Sequence, residues 1–213
     1  MNLIYGKRPV AEAEKGRRRV RRVWRIPETA AEELERLCGS ADHQGVVADV
    51  DPYPYAGSGE LLKSNALLVA LDQVQDPRNL GAVARSAEVA GAAGLVIPER
   101  RAAEVTAVVC KASAGAVEHL AIARVRNLAD WLGEAKEAGF WIWGADADAG
   151  QAPWDLDLTG PTVLVLGGEG KGLRPRVGSA CDGLVALPQR GEIDSLNVSA
   201  AATALLFEAV RQR

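Results

Sequence analysis

The chain has 213 residues, a formal net charge of −3, 48% hydrophobic and 25% charged residues, the balance of a soluble globular protein long enough for one large domain or two small ones. It holds no apolar run near the ~18 residues of a membrane span and no secretory leader pattern, so neither a span nor secretion is expected. Cys38, Cys110 and Cys181 are widely spaced and form no Cys-x-x-Cys pair, which argues against a disulfide framework or structural zinc and for a reducing, cytoplasmic compartment.

Residues 1–55 read as a small α+β unit. Ile4, Tyr5 and Gly6 with Val10 and Ala13 suggest a short opening helix. The run TAAEELERLC predicts a second helix over 29–38, capped by Thr29 with Glu32 three residues on. His43 to Val50 reads as a turn and a strand. Between them Lys15, Arg17, Arg18, Arg19, Arg21, Arg22 and Arg25 form a run with no acid among them, interleaved with Val20, Val23, Trp24 and Ile26. Such a run fits a strand or helix with one basic face, or a solvated arm. So compact a unit has little core of its own. Residues 56–65 follow as a linker, after a stretch dense in Pro and Gly.

From residue 66 the pattern changes. ALLVALD, GLVI, AIARV and FWIWGA read as strands. Helices are expected between them, from near Asn79 to Ala90, around 102–110 and over 128–138. Strands alternating with helices imply βαβ units in a parallel sheet with helices on both faces. The run TVLVL at 162–166 is continuously apolar, as befits a strand buried on both faces. It stops at Gly167-Gly168-Glu169-Gly170-Lys171-Gly172. A short strand over 184–187 then breaks at Pro188, and Ser195 or Asn197 caps a last helix reaching about Arg211. Two strand ends, each followed by a loop and a helix, form the place where open α/β sheets bind ligands.

The glycine loop is no P-loop, because Val165 stands where the first glycine belongs and Gly172 where the hydroxyl belongs. A dinucleotide fingerprint also fails, since Leu173 takes the place of its last glycine. A plain glycine turn leaves unexplained why Glu169 sits among glycines at a strand end, with a second polar loop so soon after.

GGEGKGL and LPQRGEIDSLNVSAAATAL, preceded at 71–92 by LDQVQDPRNLGAVARSAEVAGA, resemble the three signature motifs of the SpoU class of RNA ribose 2′-O-methyltransferases in the SPOUT superfamily, most of all its 23S rRNA guanosine group. Gln189 departs from the methionine more usual after that proline. The fragments YGKRPVAEA and HQGVVADVDP resemble the two ends of the ribosomal-protein-like RNA-binding domain of rRNA-acting members, with a shortened middle. The resemblance implies a methyltransferase domain over 66–213 with a C-terminal trefoil knot, a homodimer, and S-adenosyl-L-methionine as cofactor.

Residue by residue, the resemblance makes Asn79, Arg85, Glu169, Ser195 and Asn197 the catalytic set. It makes Gly167, Gly168, Leu187 and Leu196 cofactor-binding, largely through backbone groups, so a side chain at Gly168 would fill space the ligand or the loop requires. Beside such a signature the basic run becomes an RNA contact through Arg17, Arg18, Arg19, Arg21 and Arg22, joined by Arg78, all neutralising phosphate. An arginine with a pKa above about 12 is a poor base, so Arg85 is expected to position the substrate and stabilise charge. Proton removal falls to the substrate phosphate or to Glu169. No metal is expected, because a sulfonium donor is already electrophilic. The alternatives keep the enzyme and change the RNA to tRNA, or drop catalysis for an RNA-binding or ribosome-assembly factor. The latter predicts loss of Asn79, Arg85, Glu169 or Asn197, and all four are present. A nucleotide hydrolase would need the P-loop that fails.

Overall fold

The computed structural model describes the whole chain except Ser64, Glu169, Lys171 and Asp194. The alternation that begins near residue 66 becomes a six-stranded, all-parallel sheet. Its strands are β4 (Leu67–Asp72), β5 (Gly94–Pro98), β6 (Ile122–Val125), β7 (Trp141–Ala145), β8 (Thr162–Gly167) and β9 (Gly183–Val185), in the order β6-β5-β4-β8-β7-β9. Side chains alternate between faces along a strand, and both faces are covered. Leu67, Val69 and Leu71 of β4, with Leu164 and Leu166 of β8, join a core under α3 (Pro77–Val89), α4 (Ala107–Ala112) and α7 (Val198–Gln212). Leu68 and Ala70, with Val163 and Val165, join a second core under α5 (Leu128–Glu137) and α6 (Pro175–Ala180). Burial on both faces explains why these strands read as unbroken apolar runs.

Three features of this domain differ from the sequence reading. The helix expected around 102–110 starts later, at Ala107, because Ala103 is held in extended chain by its N–H donating to Val74 O at 2.9 Å. Helix α6 was not anticipated, since it is six residues long, opens on a proline and contains Gly178. Asn197 rather than Ser195 caps α7, its Oδ1 accepting from Ser199 N at 2.9 Å.

The N-terminal unit is an antiparallel three-stranded sheet, β1 (Asn2–Tyr5), β3 (Val46–Val50) and β2 (Val20–Arg25) in that order, with α1 (Lys7–Ala13) and α2 (Ala31–Cys38). The opening helix is therefore a strand followed by a helix. Gly6, at φ 101°, makes the break, and residues 2–5 pair with β3 instead of coiling. Thr29 is not a cap: its N–H donates to Arg25 O in the turn after β2, and α2 starts two residues later with Ala30 at its N-cap. The second half of the basic run, from Val20, becomes β2.

This unit shares its core with the large sheet: Ile4, Val10, Ala13, Val46, Ala48 and Val50 belong to the same apolar cluster as α3, α4 and α7. Arg18 crosses the junction. Its guanidinium is buried and donates to both carboxylate oxygens of the fully buried Glu118, through Nε at 2.9 Å and through Nη2. Nη2 also lies 3.2 Å from Cys110 Sγ. Burial disfavours the charge, but the bonds from Glu118 more than offset it, and the guanidinium pKa rises above its ordinary value. Arg18 is thus a structural clamp and not, as the sequence suggested, part of an RNA-contacting surface. Around it His119 Nε2 meets Glu12 Oε2 at 2.8 Å, and the Tyr53 hydroxyl lies 2.9 Å from Leu120 O.

The stretch 56–65 is also docked. Ala56 N–H donates to Ile122 O at 2.9 Å beside β6, and Leu61, in a 3-10 turn over Ser58–Leu61, is buried in the second core.

Breaking a buried ion pair by removing one partner typically costs about 3–5 kcal/mol, whereas an apolar pair of similar volume is often tolerated. Glu118→Ala is therefore expected to lower unfolding free energy by about that amount, and Arg18→Met with Glu118→Leu to recover most of it. Urea denaturation of the three proteins checks this.

Candidate functional site

Strand β4 feeds β5 on one side and is flanked by β8 on the other, so the sheet's strand order reverses beside it. At such a switch point the carboxyl ends of the strands leave a crevice. Two loops meet there, 73–76 after β4 and 168–172 after β8. Asp72, fully buried at the end of β4, ties them together. Its carbonyl accepts from Gly168 N at 2.9 Å. Its carboxylate accepts from Arg174 twice, from the backbone N at 2.9 Å and Nε at 2.8 Å, and Nη2 completes the ion pair at 2.7 Å. The β8 loop is thus pinned at both ends to the terminus of the central strand.

The glycines of this loop have separate reasons. A Cβ on Gly167 would stand 2.1 Å from Gly172 C, because the loop closes on itself, with Gly172 N donating to Gly168 O at 3.2 Å. A Cβ on Gly168 would meet Gln73 O at 2.7 Å, so that glycine lets the two loops touch. Gly170 and Gly172, at φ 74° and 58°, hold left-handed backbone that favours glycine. Of the two explanations offered for Gly168 from sequence, closure of the loop is the one the contacts support.

Over the β8 loop lies a cleft of about 350 Å3. Gly167, Gly168, Leu187, Ser195 and Leu196 all line it, so the structure gathers residues drawn from two motifs. Its walls also include Leu166, Val185 and Leu205, its rim the Gln189 amide, and Asp146 is the one charged side chain of the described lining. Apolar walls with a few fixed polar groups and exposed loop backbone suit a flat heterocycle with a polar tail. The sequence reading missed the contributions of Ala145, Asp146 and Ala147 after β7, and of Ala201 and Leu205 on α7. The signal was there: the acidic run after β7 in WGADAD follows a strand end in this same sheet.

A second cleft, about 310 Å3, adjoins the first and is lined by Gln73, Asp76, Asn79, Gly168 and Val198 among others. Asp76 caps α3, its Oδ1 accepting from Arg78 N at 2.7 Å. Asn197 Nδ2 donates to Asn79 Oδ1 at 3.0 Å, so the motif-one and motif-three asparagines are bonded to each other. Further along, Ser86 Oγ and Thr203 Oγ1 lie 2.7 Å apart, and α3 and α7 run side by side in the same direction.

Arg85 and Arg78 line neither cleft. Both are exposed on α3, seven residues apart on one face, and Arg85 makes no ion pair with Glu88 or any other described residue. Glu169 lies outside the described residues. Arg17 and Arg19 just before β2, and Arg21 and Arg22 within it, are exposed; Arg17 donates to His119 O, Arg21 pairs with Asp51 at 2.6 Å and Arg22 lies 4.9 Å from the Trp24 ring centre. Among the described residues no group of three His, Cys, Asp or Glu side chains is arranged to hold a metal ion, and no helix is long and apolar enough to cross a membrane.

A parallel sheet carrying its ligand cleft over a glycine loop and a proline loop at the switch point defines an α/β small-molecule binder, with a second, polar cleft open to a larger substrate. Comparison makes the class specific. The SpoU rRNA Methylase family matches residues 66–207, and the RNA 2′-O ribose methyltransferase substrate-binding family matches residues 25–56. The chain belongs to the SpoU methyltransferase family. It is 38% identical over 237 residues to a Bacillus subtilis protein named as a TrmH-family tRNA/rRNA methyltransferase, YacO, covering 99% of this chain and 95% of that one. It is 45% identical over 194 residues to a tRNA/rRNA methyltransferase of Mycobacterium sp. strain KMS, covering 88% of this chain and only 62% of that longer protein. Among solved structures, AviRb of Streptomyces viridochromogenes in complex with AdoMet superposes with a TM-score of 0.83 at 30% identity, over 99% of this chain and 89% of that one. The A. aeolicus TrmH/SpoU tRNA modifying enzyme gives 0.64 at 30% identity, over 73% of this chain and 80% of that one.

Proposed function

We propose that the protein is an S-adenosylmethionine-dependent RNA methyltransferase that modifies a ribose 2′-oxygen, with a guanosine of 23S rRNA as its target. The observation that carries the proposal is the convergence of Gly167, Gly168, Leu187, Ser195 and Leu196 on one cleft beside the bonded Asn79–Asn197 pair. The cleft's apolar walls, accessible loop backbone and, among the described residues, the one acidic residue Asp146 fit an adenosyl group with its cationic tail. When bound, S-adenosylmethionine supplies an electrophilic methyl group on its sulfonium. Gly167, Leu187 and Leu196 would hold the adenosyl portion through backbone groups and apolar flanks, and Gly168 lets the loop close against Gln73. Support for rRNA over tRNA is the matched substrate-binding unit at 25–56; relatives carry names that cover both RNAs.

The chain's own residues then divide the work. Asn197 fixes the start of α7 and the Asn79 side chain together, and so sets the wall between the two clefts. Negative charge grows on the 2′-oxygen as it attacks. Arg85, exposed and unpaired among the described residues, is available to grip the adjoining phosphate and stabilise that charge. By its place in the second motif Glu169 is the protein's candidate for taking the hydroxyl proton, with the substrate phosphate as the other. Mapping 2′-O-methyl groups in total RNA with and without the gene tests the reading; an unchanged rRNA map with a lost tRNA methyl would reassign the substrate.

The trefoil knot and the homodimer belong to the same proposal. Supporting the knot, α7 at the end of the chain packs on both α3 and β8. Supporting the dimer, Val89, Phe207 and Val210 are 63%, 45% and 40% exposed at the same end of the α3–α7 pair, while Ala202, Leu205, Leu206 and Ala209 are core. Light scattering at micromolar concentration should give twice the 22.5 kDa chain mass; a monomer mass overturns the dimer.

Ala201 lines the first cleft from α7, so Ala201→Leu should weaken S-adenosylmethionine binding tenfold or more, about 1.4 kcal/mol, in calorimetric titration without loss of helicity. Arg85→Ala should lose about 10²–10³ in single-turnover methylation with saturating RNA, and Arg85→Lys should fall between it and wild type because it keeps charge but not the planar fork. Cofactor affinity should not change in either. Turnover within a few-fold of wild type for Arg85→Ala would refute its catalytic role.

A further inference from the structure

The carboxyl edge of the sheet continues past the two clefts. Above β5 and β6 it opens into a third, of about 580 Å3, that shares Gln73 with the cleft bearing Asn79. Five arginines line it: Arg100 and Arg101 after β5, Arg126 after β6, and Arg174 and Arg176 around the start of α6. Two of these charges are already engaged, Arg174 with Asp72 at 2.7 Å and Arg176 with Asp130 at 2.6 Å. Arg100, Arg101 and Arg126 are exposed and make no ion pair or side-chain hydrogen bond with another described residue.

Three guanidinium groups without an acidic partner around one concavity give it a positive potential that favours an anion. Pro98 is the one apolar residue of the described lining, so the cleft offers little to a heterocycle or an apolar peptide side chain. Guanidinium forks match phosphate oxygens two at a time. The three clefts lie side by side in the order of the strands, first over β9, β7 and β8, then between β8 and β4, then over β5 and β6. We propose that this third cleft, through Arg100, Arg101 and Arg126, binds the phosphodiester backbone of the substrate RNA beside the second cleft. The assignment rests on the RNA methyltransferase reading and adds to it a contact surface on the catalytic domain itself, separate from the arginines of β2.

Phosphate contacts supply affinity and register without reading sequence, and each one adds to the salt dependence of binding, by about 0.7 log–log units on single strands. The test is a salt titration of a short single-stranded RNA against wild type, the Arg100→Ala/Arg101→Ala/Arg126→Ala variant and the matching triple lysine variant, with calorimetry of S-adenosylmethionine on each. The alanine variant should bind RNA with a slope flatter by about two units, and the lysine variant should stay within about half a unit of wild type. Cofactor affinity should be equal in all three, which also reports an intact fold. A wild-type slope in the alanine variant, or a lysine variant as flat as the alanine one, overturns the cleft assignment and leaves the function standing. If wild type binds the cofactor but no RNA, the RNA methyltransferase reading itself fails, and this assignment with it.

Discussion

The buried carboxylate of Asp72 is the point on which the site depends. It ends the central strand, and within a few ångströms it secures Gly168 of the β8 loop and Arg174 of the arginine-lined cleft. A charge taken out of water is tolerated only where its lone pairs are filled. Here two hydrogen bonds and a close ion pair from one arginine meet it. That requirement fixes Gly168 and Arg174 against the end of β4. The two clefts on either side of β4 therefore hold a constant relation to each other.

Arg18 and Glu118 do the same work at the junction of the two units. The N-terminal sheet has only a thin apolar face, and the large domain presents α4 and the chain after it to complete that core. With Tyr53, His119 and Lys111 also bonded across this boundary, the small unit behaves as a graft on the catalytic domain rather than a tethered arm. The exposed arginines of β2 are held at a set distance from the sheet edge for that reason.

Much of this was legible in the chain, and the exceptions share a cause. The strands of the large sheet could be read because burial on both faces leaves nothing but apolar residues. Gly167 and Leu187 reach one cleft because each lies at or just past a strand end, and Leu196 joins them from the start of α7. The reading failed where a local signal competed with a long-range partner. Residues 2–5 look helical until β3 is there to pair with them, and Arg18 looks solvated until Glu118, a hundred residues away, is buried against it. Thr29 satisfies a capping pattern, yet its N–H is already committed to a turn. The arginines of the third cleft went unread because they come from three separate strand ends and form no run.

The chain's own covering of its sheet flanks has a consequence for how copies of the protein can meet. An open strand edge is a template for another strand. Beside β6 that edge is occupied by Ala56, bonded to Ile122, and beyond it by the turn that buries Leu61. At the opposite flank β9 is only three residues long, and Ala186 N–H turns away from it to Gln151 O. Neither border of the sheet invites extension into a ribbon shared between molecules, so aggregation by edge pairing is disfavoured there. Association through this sheet would have to run through side chains on the helices that cover it.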